Sequence, residues 1–591
     1  MKRIAKLTMW GLLAGALVFL AAGRAPSAEP DAPDAPDSRI AQLLGLLPPQ
    51  ETGKQIAGVY IGSEFCLACH PSRAGWRETL HASFLRRPMT QFSLVPRKGV
   101  IADFDANGVD DFLQGLDFNA IDSPFDAYKP NAPILAVTGG VYTITIGGVT
   151  YPVNFTQAGQ GDGSSQRYAV KIPVTDSPTG LSDSNYLAPL QFVPGRGWVA
   201  DSPENWYDAA NQPRFGPDTM IADLAGHGGN YSATCVGCHS TGIRKVGPTV
   251  SGEVSFEGFI AVLSRPDDPG IFDYDGDGFN DLMNIGCESC HGPGSVHVAA
   301  GGDPQYIINP ENLPVTAQVD ICGRCHSQSH SVPNGTFDWP YDDANGVDWT
   351  PVDAVAGVPL GDFLTDASVR WPDGKHGLIT RPYNDYLESP KPTFPFAPVS
   401  CTDCHDPHRE VQRHQIRDHV VEDGIRIDTR VEDNTLCLAC HAGFGDFEEL
   451  TKQTIADIGE PANRDAVVRV VTAHSNHPYG AERSMGLGRC VECHMPVTFG
   501  GYRPTLTGRS HTFEAISPHK TLEFQDQGGM PNSCAQSCHN QKVNSFRLGL
   551  DPNPSNRVWD EPFDRSLAGI LEMYYGPGGL WWDTEGEGGG E

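Results

Sequence analysis

The positions of the cysteines constrain this chain more than any other feature of its sequence. All 16 cysteines form eight close pairs, a histidine directly follows each pair, and no cysteine is left over. Seven pairs read C-x-x-C-H and the last reads C-x-x-x-C-H. The pairs, numbered here as motifs 1 to 8, are Cys66/Cys69, Cys235/Cys238, Cys287/Cys290, Cys322/Cys325, Cys401/Cys404, Cys437/Cys440, Cys490/Cys493 and Cys534/Cys538. The histidines that follow them, in the same order, are His70, His239, His291, His326, His405, His441, His494 and His539.

This spacing predicts covalent attachment of eight c-type haems. Two thiols on a short loop can form thioethers with the two vinyl groups of a haem, and the next residue can then turn its imidazole to the iron. Disulfides would suit an exported protein, but they do not require a histidine after every pair. Zinc sites use four ligands from two paired units, and a thioredoxin-like motif occurs once rather than eight times. For motif 8, which has one extra residue, a disulfide remains the alternative.

The composition indicates a protein with little conventional core. Only 39% of the residues are hydrophobic, while 66 Gly and 48 Pro indicate extensive loops. Eight haems would supply large apolar surfaces that short loops can wrap. The formal net charge of −31 argues against nucleic acid or an anionic lipid surface as the main partner, because both need a basic face. We therefore predict an α+β, loop-rich multihaem cytochrome fold, with short helices around eight covalent c-type haems and a small inserted β unit.

The histidine supply predicts that imidazoles bind both faces of the haem irons. Twelve of the 20 histidines lie outside the motifs, and only nine methionines compete with them. Bis-histidine haems have low potentials and no open position, which suits electron transfer. The predicted distal ligands are His81, His227, His297, His376, His408, His474, His477 and His511. For His330, His414 and His519, a ligand role and a structural role are equally open, and His419 is a further histidine outside the motifs.

Two of these histidines predict cross-ligation between haems. His297 lies six residues after His291, and His408 lies three residues after His405. Both are too near their own attachment loops to reach over the same ring, so each should bind a neighbouring haem.

The N-terminus predicts export. Residues 1–28 combine Lys2, Arg3 and Lys6 with an uncharged, mostly apolar run over 7–22, as in a signal peptide; an uncleaved membrane anchor is the alternative. No later segment is long and apolar enough to cross a bilayer. We predict a location in the periplasm or at the cell surface. The predicted organisation after the signal peptide is a linker at 29–52, a first haem segment at 53–90, an insert at 91–215, a seven-haem domain at 216–545 and a tail at 546–591.

The long gap between motifs 1 and 2 predicts a small β unit at about 134–200. Residues 142–153 read as two strands joined by Gly147-Gly148, a good hairpin signal. Residues 165–174 are a candidate third strand.

Two acidic segments resemble calcium loops. A calcium ion bound there would stabilise the loop rather than take part in catalysis. Each has oxygen ligands at loop positions 1, 3, 5 and 9 and a glycine at position 6. The first consists of Asp273, Asp275, Asp277 and Asp281, and the second of Asp103, Asp105, Asn107 and Asp111. Neither has the glutamate typical of position 12, so a metal-free surface turn is the alternative for both.

The haem-bearing segments resemble the multihaem cytochrome c superfamily that includes hydroxylamine oxidoreductase, its tetrahaem electron acceptor and many octahaem cytochromes. The segments that carry the resemblance are CLACHPSRAGWRETLH, CVGCHSTG, CESCHGPGSVH, CGRCH, CTDCHDPH, CVECHMP, RSHTF and PNSCAQSCH. The resemblance implies stacked haem pairs in a continuous chain, bis-histidine iron and low potentials. It also implies that a polymer is an option, because some relatives form conductive filaments outside the cell.

The catalytic relatives supply the rival prediction. Octahaem nitrite and tetrathionate reductases use a C-x-x-C-K motif, whereas all eight motifs here end in histidine. Hydroxylamine oxidoreductase has a long helical C-terminal region. Here only 52 residues follow motif 8, and Pro552 and Pro554 argue against a long helix among them.

We therefore expect an exported octahaem electron carrier without its own substrate site. It would pass electrons to a redox partner protein, another copy of itself or an extracellular acceptor, for example in anaerobic respiration. The alternative is an octahaem oxidoreductase acting on a small nitrogen or sulfur compound at one five-coordinate haem.

Overall fold

The computed structural model describes most of the chain between residues 58 and 575. The described residues are 58–88, 101–159, 165–247, 252–261, 263, 268, 270–480, 488–500, 507–539, 559 and 562–575. The predicted signal peptide and linker lie outside them.

The long insert forms an antiparallel sheet of seven strands. In chain order the strands are β1 Leu85–Arg86, β2 Ile134–Thr138, β3 Val141–Ile146, β4 Val149–Ala158, β5 Gln166–Val170, β6 Tyr186–Val193 and β7 Gly197–Ala200. Strands β2 to β7 follow one another across the sheet, and β1 pairs with β4. The predicted hairpin is confirmed as β3–β4, and the third strand, β5, is shorter than predicted. Strand β6 is buried at every position, so it lacks the alternation that identifies a strand with one exposed face.

The β3–β4 turn depends on glycine because both central residues are left-handed, with φ of 56° at Gly147 and 83° at Gly148. A Cβ on Gly147 would also come within 2.4 Å of Pro213 Cγ, whereas a Cβ on Gly148 would meet nothing within 4 Å.

Gly147→Ala should therefore destabilise the protein more than Gly148→Ala. Both substitutions incur the left-handed penalty of about 1–2 kcal/mol, and only Gly147→Ala adds overpacking of about 1–3 kcal/mol. Denaturant unfolding of both holoprotein variants would check this, and equal losses would contradict the packing argument.

The two faces of the sheet are both buried, against different parts of the protein. One face packs in an aromatic core with Phe112 and Trp198 that continues to Leu224, beyond the predicted boundary at residue 215. On the other face, Phe155 packs with Tyr231 and Val236 beside motif 2. The sheet is therefore a support for motif 2.

The helices are short and cluster at the motifs, as predicted. They are α1 Ser63–Cys69, α2 Leu80–Ser83, α3 Asp111–Gln114, α4 Tyr231–Thr234, α5 Glu288–His291, α6 Ser295–Ala299, α7 Val315–His326, α8 Pro351–Val355, α9 Pro382–Leu387, α10 Thr435–His441, α11 Lys452–Ala456, α12 Pro461–Ser475, α13 Cys490–His494, α14 Pro518–Glu523, α15 Ser533–Ser537 and α16 Pro562–Tyr575. Six motifs lie on or at the end of such helices. Motifs 2 and 5 lie on 3₁₀ turns, at Val236–Cys238 and Cys401–Asp403.

Short two-stranded ribbons connect the motifs. The strands are β8 Ile243–Lys245, β9 Phe256–Gly258, β10 Ser329–Ser331, β11 Tyr341–Asp342, β12 Val347–Asp348, β13 Leu364–Asp366, β14 Val369–Arg370, β15 Gly377–Ile379, β16 His419–Glu422, β17 Ile425–Asp428, β18 Val497–Gly500 and β19 Thr507–Arg509. Strand β10 pairs with β13 and β11 with β12, and the other ribbons are β8–β9, β14–β15, β16–β17 and β18–β19.

The tail contains a helix, whereas the sequence argued only against a long one. Helix α16 has 14 residues and begins at Pro562, where a proline is tolerated because a first-turn N–H has no helical partner. Its Leu571 packs in a cluster with Ala535 of motif 8, so the tail is anchored on that motif.

Candidate haem-binding sites

All 16 cysteines lie in the described residues, and each carries a free thiol. No disulfide forms within or between the motifs, so the thiols remain available for thioether bonds.

Five motif histidines each face one histidine from outside the motifs. The ring centroids are 6.4 Å apart for His70 and His297, 6.2 Å for His291 and His408, 6.2 Å for His326 and His81, 6.3 Å for His494 and His474, and 6.1 Å for His539 and His477.

This separation fits two imidazoles that bind opposite sides of one metal ion. A metal–imidazole nitrogen bond is about 2.0 Å, and the centre of the ring lies about 1.1 Å beyond the nitrogen. Two rings in line across the metal therefore have centroids about 6.2 Å apart. Direct ring stacking would bring the two planes much closer, so a spacing repeated five times indicates room for an iron between each pair.

The facing histidine usually comes from the segment that carries another motif. His297 lies on α6 after motif 3 but faces motif 1, and His408 follows motif 5 but faces motif 3. His81 lies on α2 after motif 1 and faces motif 4. At the end of α12, His474 faces motif 7 and His477 faces motif 8. These crossings interlock the segments that carry the motifs.

The tautomers of several of these histidines leave Nε2 for the iron. The Nδ1 atoms of His291, His297 and His477 donate to backbone carbonyl oxygens at 2.7, 3.0 and 2.6 Å. An imidazole that donates through Nδ1 presents its Nε2 lone pair to a metal. His474 differs, because its Nδ1 lies 2.7 Å from the carboxylate of Asp446. Asp446 carried no signal in the sequence.

Burial keeps the candidate ligands neutral. Removal from water lowers the pKa of His81 to about 4 and that of His326 to about 3. Both groups therefore lack the extra proton at neutral pH, which is the form that binds metals.

The other three motif histidines have no second imidazole opposite them at this spacing. Burial, and then the charge of His405 of motif 5, lower the pKa of His511. Its Nδ1 donates to the carbonyl of Arg509 at 3.0 Å. His239 of motif 2 and His441 of motif 6 face none of the other histidines, all of which lie in the described residues.

The structure does not bring two predicted ligands to a motif histidine. His227 is enclosed by aromatic rings of the insert, and its Nδ1 accepts from the N–H of Gly229 at 3.0 Å. This tautomer carries its proton on Nε2, unlike the ligand form that donates through Nδ1, and a ligand role for His227 stays a prediction. His376 is buried with Nδ1 held at 2.6 Å by Asp373, and its Nε2 has no hydrogen-bond partner. It has the tautomer of a ligand but no motif histidine opposite.

The other four histidines outside the motifs do not lie opposite a motif histidine at this spacing. The backbone carbonyl of His414 accepts from Nδ1 of His405 at 2.9 Å, so His414 orients a motif histidine through its main chain. His330 and His419 pair with Asp338 and Asp418. His519 is 62% exposed beside Glu572.

Thiol contacts connect the motifs in space. Thiols of different motifs lie close enough in four places to shift each other's pKa, namely Cys66 with Cys287, Cys238 with Cys325, Cys322 with Cys401 and Cys437 with Cys490. These contacts place motif 1 against 3, 2 against 4, 4 against 5 and 6 against 7.

Electrostatic neighbours connect the remaining motifs. Burial raises the pKa of Cys290 to about 12, of Cys404 to about 11 and of Cys534 to about 12. In each case a thiol of a neighbouring motif adds to the shift, from Cys325, Cys437 and Cys493 respectively. The motifs therefore lie in the series 1–3–4–5–6–7–8, with motif 2 attached at motif 4.

Motif 2 also has a buried cation that fits a haem. Arg167 on β5 is 8% exposed, its Nε donates to Asp201 Oδ2 at 2.8 Å, and its Nη2 has no hydrogen-bond partner. The guanidinium lies near Cys235, where it opposes the rise in thiol pKa that burial causes. The carboxylate of a haem propionate would satisfy such a group.

The two predicted calcium loops have matching folds. In both, the carboxylate at position 9 accepts from the N–H at position 2, Phe104 N to Asp111 and Tyr274 N to Asp281. Only Asp273, Asp275 and Asp281 bring their oxygens within 4.8 Å of one another; Asp277 does not join them. In the other loop, Asp111 also accepts from Trp198 Nε1 at 2.7 Å. Calcium stays a prediction for both loops.

Chelation should lower the melting temperature of the holoprotein if the first loop binds calcium, because a ligand that binds only the folded state stabilises it. Calorimetry with and without a chelator would measure the shift, and Asp281→Asn should remove it. An unchanged melting temperature in the unsubstituted protein would contradict the prediction.

The comparisons with known proteins agree with haem attachment. A family model described as "Doubled CXXCH motif" matches residues 394–446, which contain motifs 5 and 6. These residues therefore match the doubled pattern through which haem c is attached. No curated protein matches the chain.

Two solved structures are similar to this chain. The crystal structure of outer cell wall cytochrome OcwA has a TM-score of 0.41 and 20% identity, covering 81% of this chain and 83% of that chain. An undecaheme cytochrome from the S-layer of Carboxydothermus ferrireducens has a TM-score of 0.32 and 16% identity, covering 92% and 65%. Within the described residues, no helix has both the length and the hydropathy needed to cross a bilayer.

Proposed function

We propose that this protein is an exported octahaem cytochrome that carries electrons along a series of haems to a partner protein or an extracellular acceptor. The observation that carries this proposal is the five imidazole pairs spaced at 6.1–6.4 Å. An iron with imidazole on both faces has no position for a substrate, so such a site exchanges electrons rather than making bonds.

The order of the motifs supports conduction through the protein. The series 1–3–4–5–6–7–8 joins seven motifs, and adjacent members are in contact or near enough to influence each other's charge. We propose that electrons enter and leave near motifs 1 and 8, at the two ends of this series.

The residues of the chain have three tasks in this function. The cysteines fix the spacing of the redox groups, each of which supplies one-electron chemistry when bound. The histidine pairs hold the iron in one coordination state, so little rearrangement accompanies electron transfer. The carbonyls and carboxylate that accept from Nδ1 orient the imidazoles and tune their basicity.

The first test is the haem content and redox behaviour of the exported protein, expressed in a host that matures c-type cytochromes. Mass spectrometry should show eight haems on the mature polypeptide. Protein-film voltammetry should show reversible reduction without any added small substrate. A mass equal to that of the bare polypeptide, or irreversible reduction of the haems, would overturn the proposal. Cell fractionation would test the proposed periplasmic or surface location.

A further inference from the structure

A row of three polar side chains crosses the insert sheet from β4 to β6. Gln157 on β4 lies opposite Arg167 on β5, and Arg167 lies opposite Gln191 on β6. Each of the three residues is 8% exposed. Within the described part of the chain, Oε1 of each glutamine and Nη2 of Arg167 have no hydrogen-bond partner. Buried polar atoms without partners cost free energy, so three of them in one row indicate a bound group that satisfies them.

The strand register fixes the face of the sheet on which the row lies. Successive side chains of a strand point to opposite faces, so Gln157 shares its face with Phe155, two residues away. The ring of Phe155 lies 4.9 Å from that of Tyr231, which in turn lies 6.2 Å from that of His239. Phe155 also belongs to the apolar cluster against which both cysteines of motif 2 pack. The row therefore lies on the face of the sheet that supports motif 2.

The chemistry of the row fits a carboxylate. Arg167 donates from Nε to Asp201 Oδ2 at 2.8 Å, which leaves Nη2 as a charged donor. A guanidinium forms its strongest hydrogen bonds with carboxylate or phosphate oxygens, and a glutamine amide can turn its NH₂ group to the same oxygens. The burial of the row favours a carboxylate that is attached to the protein over one that exchanges with solvent. A haem attached at motif 2 brings its propionate carboxylates with it.

We propose that Gln157, Arg167 and Gln191 form a propionate site that holds a carboxylate of the haem at motif 2, and that the insert sheet thereby tunes the potential of this haem. The inference rests on the proposed function, since it presupposes a haem at motif 2. A negative charge near the iron favours the oxidised state, and the guanidinium offsets the charge of the propionate. Arg167 therefore favours the reduced state of this haem.

The experiment uses the full-length holoprotein with a verified content of eight haems. Resonance Raman spectroscopy records the propionate bending bands, which move when a hydrogen bond to the carboxylate is lost, and spectroelectrochemical titration records the potentials. Arg167→Gln should shift the propionate band of one haem. The same haem should become about tenfold harder to reduce, which corresponds to a fall of about 59 mV in a one-electron potential.

Arg86→Gln is the matched control. Arg86 on β1 is also buried, and its Nη1 donates to the carbonyl of Ser83 at 2.9 Å. It lies opposite Thr156, which lies opposite Tyr168, on the face that packs in the aromatic core of the insert. Arg86→Gln removes the same charge from the other face of the same sheet. It should leave the propionate bands in place and change the potentials less than Arg167→Gln does.

Gln191→Leu provides a test that changes no charge. This test is needed because Arg167→Gln also removes the ion-pair partner of Asp201, and an unpaired carboxylate lowers the potential by itself. If the amide of Gln191 binds nothing in the holoprotein, an apolar side chain of similar volume should leave the stability unchanged or raise it. If the amide binds the propionate, its loss should lower the stability in denaturant unfolding and shift the propionate band, and this is the result that we expect.

The outcomes separate this inference from the proposed function. A holoprotein with eight haems whose propionate bands are unchanged by Arg167→Gln would overturn the propionate site and leave the proposed function standing. A gain in stability from Gln191→Leu would do the same. A polypeptide that binds no haem would overturn the proposed function itself. If Arg167→Gln does not mature, Arg167→Lys keeps the charge and should shift the same band with a smaller change in potential; an unshifted band would overturn the site.

Discussion

Replacing His81 with alanine should convert one haem in eight from low-spin to high-spin. His81 is buried on α2 with its ring 6.2 Å from that of His326, and alanine offers no atom that can bind an iron. The haem at motif 4 would then keep a single imidazole, which weakens the ligand field and raises the potential. Because motif 4 joins motifs 3 and 5, electron transfer along the series should also slow.

Magnetic resonance and voltammetry of the His81→Ala holoprotein would measure both effects. His519→Ala is the matched control, because His519 is 62% exposed and lies beside Glu572 rather than a motif. A His81→Ala variant with unchanged low-spin spectra would show that the ring spacing does not report ligation.

Replacing Asp446 with asparagine should raise the potential of the haem at motif 7. The carboxylate accepts from Nδ1 of His474 at 2.7 Å, which makes the imidazole a stronger donor to the iron and favours the oxidised state. Asparagine keeps the shape but removes the charge. A tenfold change in a one-electron equilibrium corresponds to about 59 mV. We expect a rise on the order of 60 mV, the lower end of outer-sphere effects, because Asp446 is 70% exposed.

Spectroelectrochemical titration would resolve this shift against the other haems. Glu449→Gln is the control, since Glu449 lies three residues away and pairs with exposed Arg469 instead of an imidazole. Identical titration curves for Asp446→Asn and the unsubstituted protein would rule out tuning by this carboxylate.

Part of the candidate site could be predicted from local patterns. The C-x-x-C-H motif needs only one turn of chain, so thiols and proximal imidazoles are readable residue by residue. The same holds for the β3–β4 hairpin, where two glycines supply the left-handed residues of the turn. His297 and His408 were predicted to bind neighbouring haems because each lies too close in sequence to its own motif. The structure places them opposite His70 and His291.

Other features depend on contacts that no local pattern encodes. His227 was a predicted ligand, but its Nδ1 accepts from the N–H of Gly229, a contact that the motif pattern does not encode. Asp446 lies 28 residues from His474 along the chain.

The amino-acid sequence by itself determined which residues attach haem, because that chemistry is complete within five or six consecutive residues. It did not determine which imidazoles face each other or the order 1–3–4–5–6–7–8. These follow only from the tertiary structure, because coordination across a metal joins segments that are distant in the chain, and their approach depends on the packing of the whole molecule.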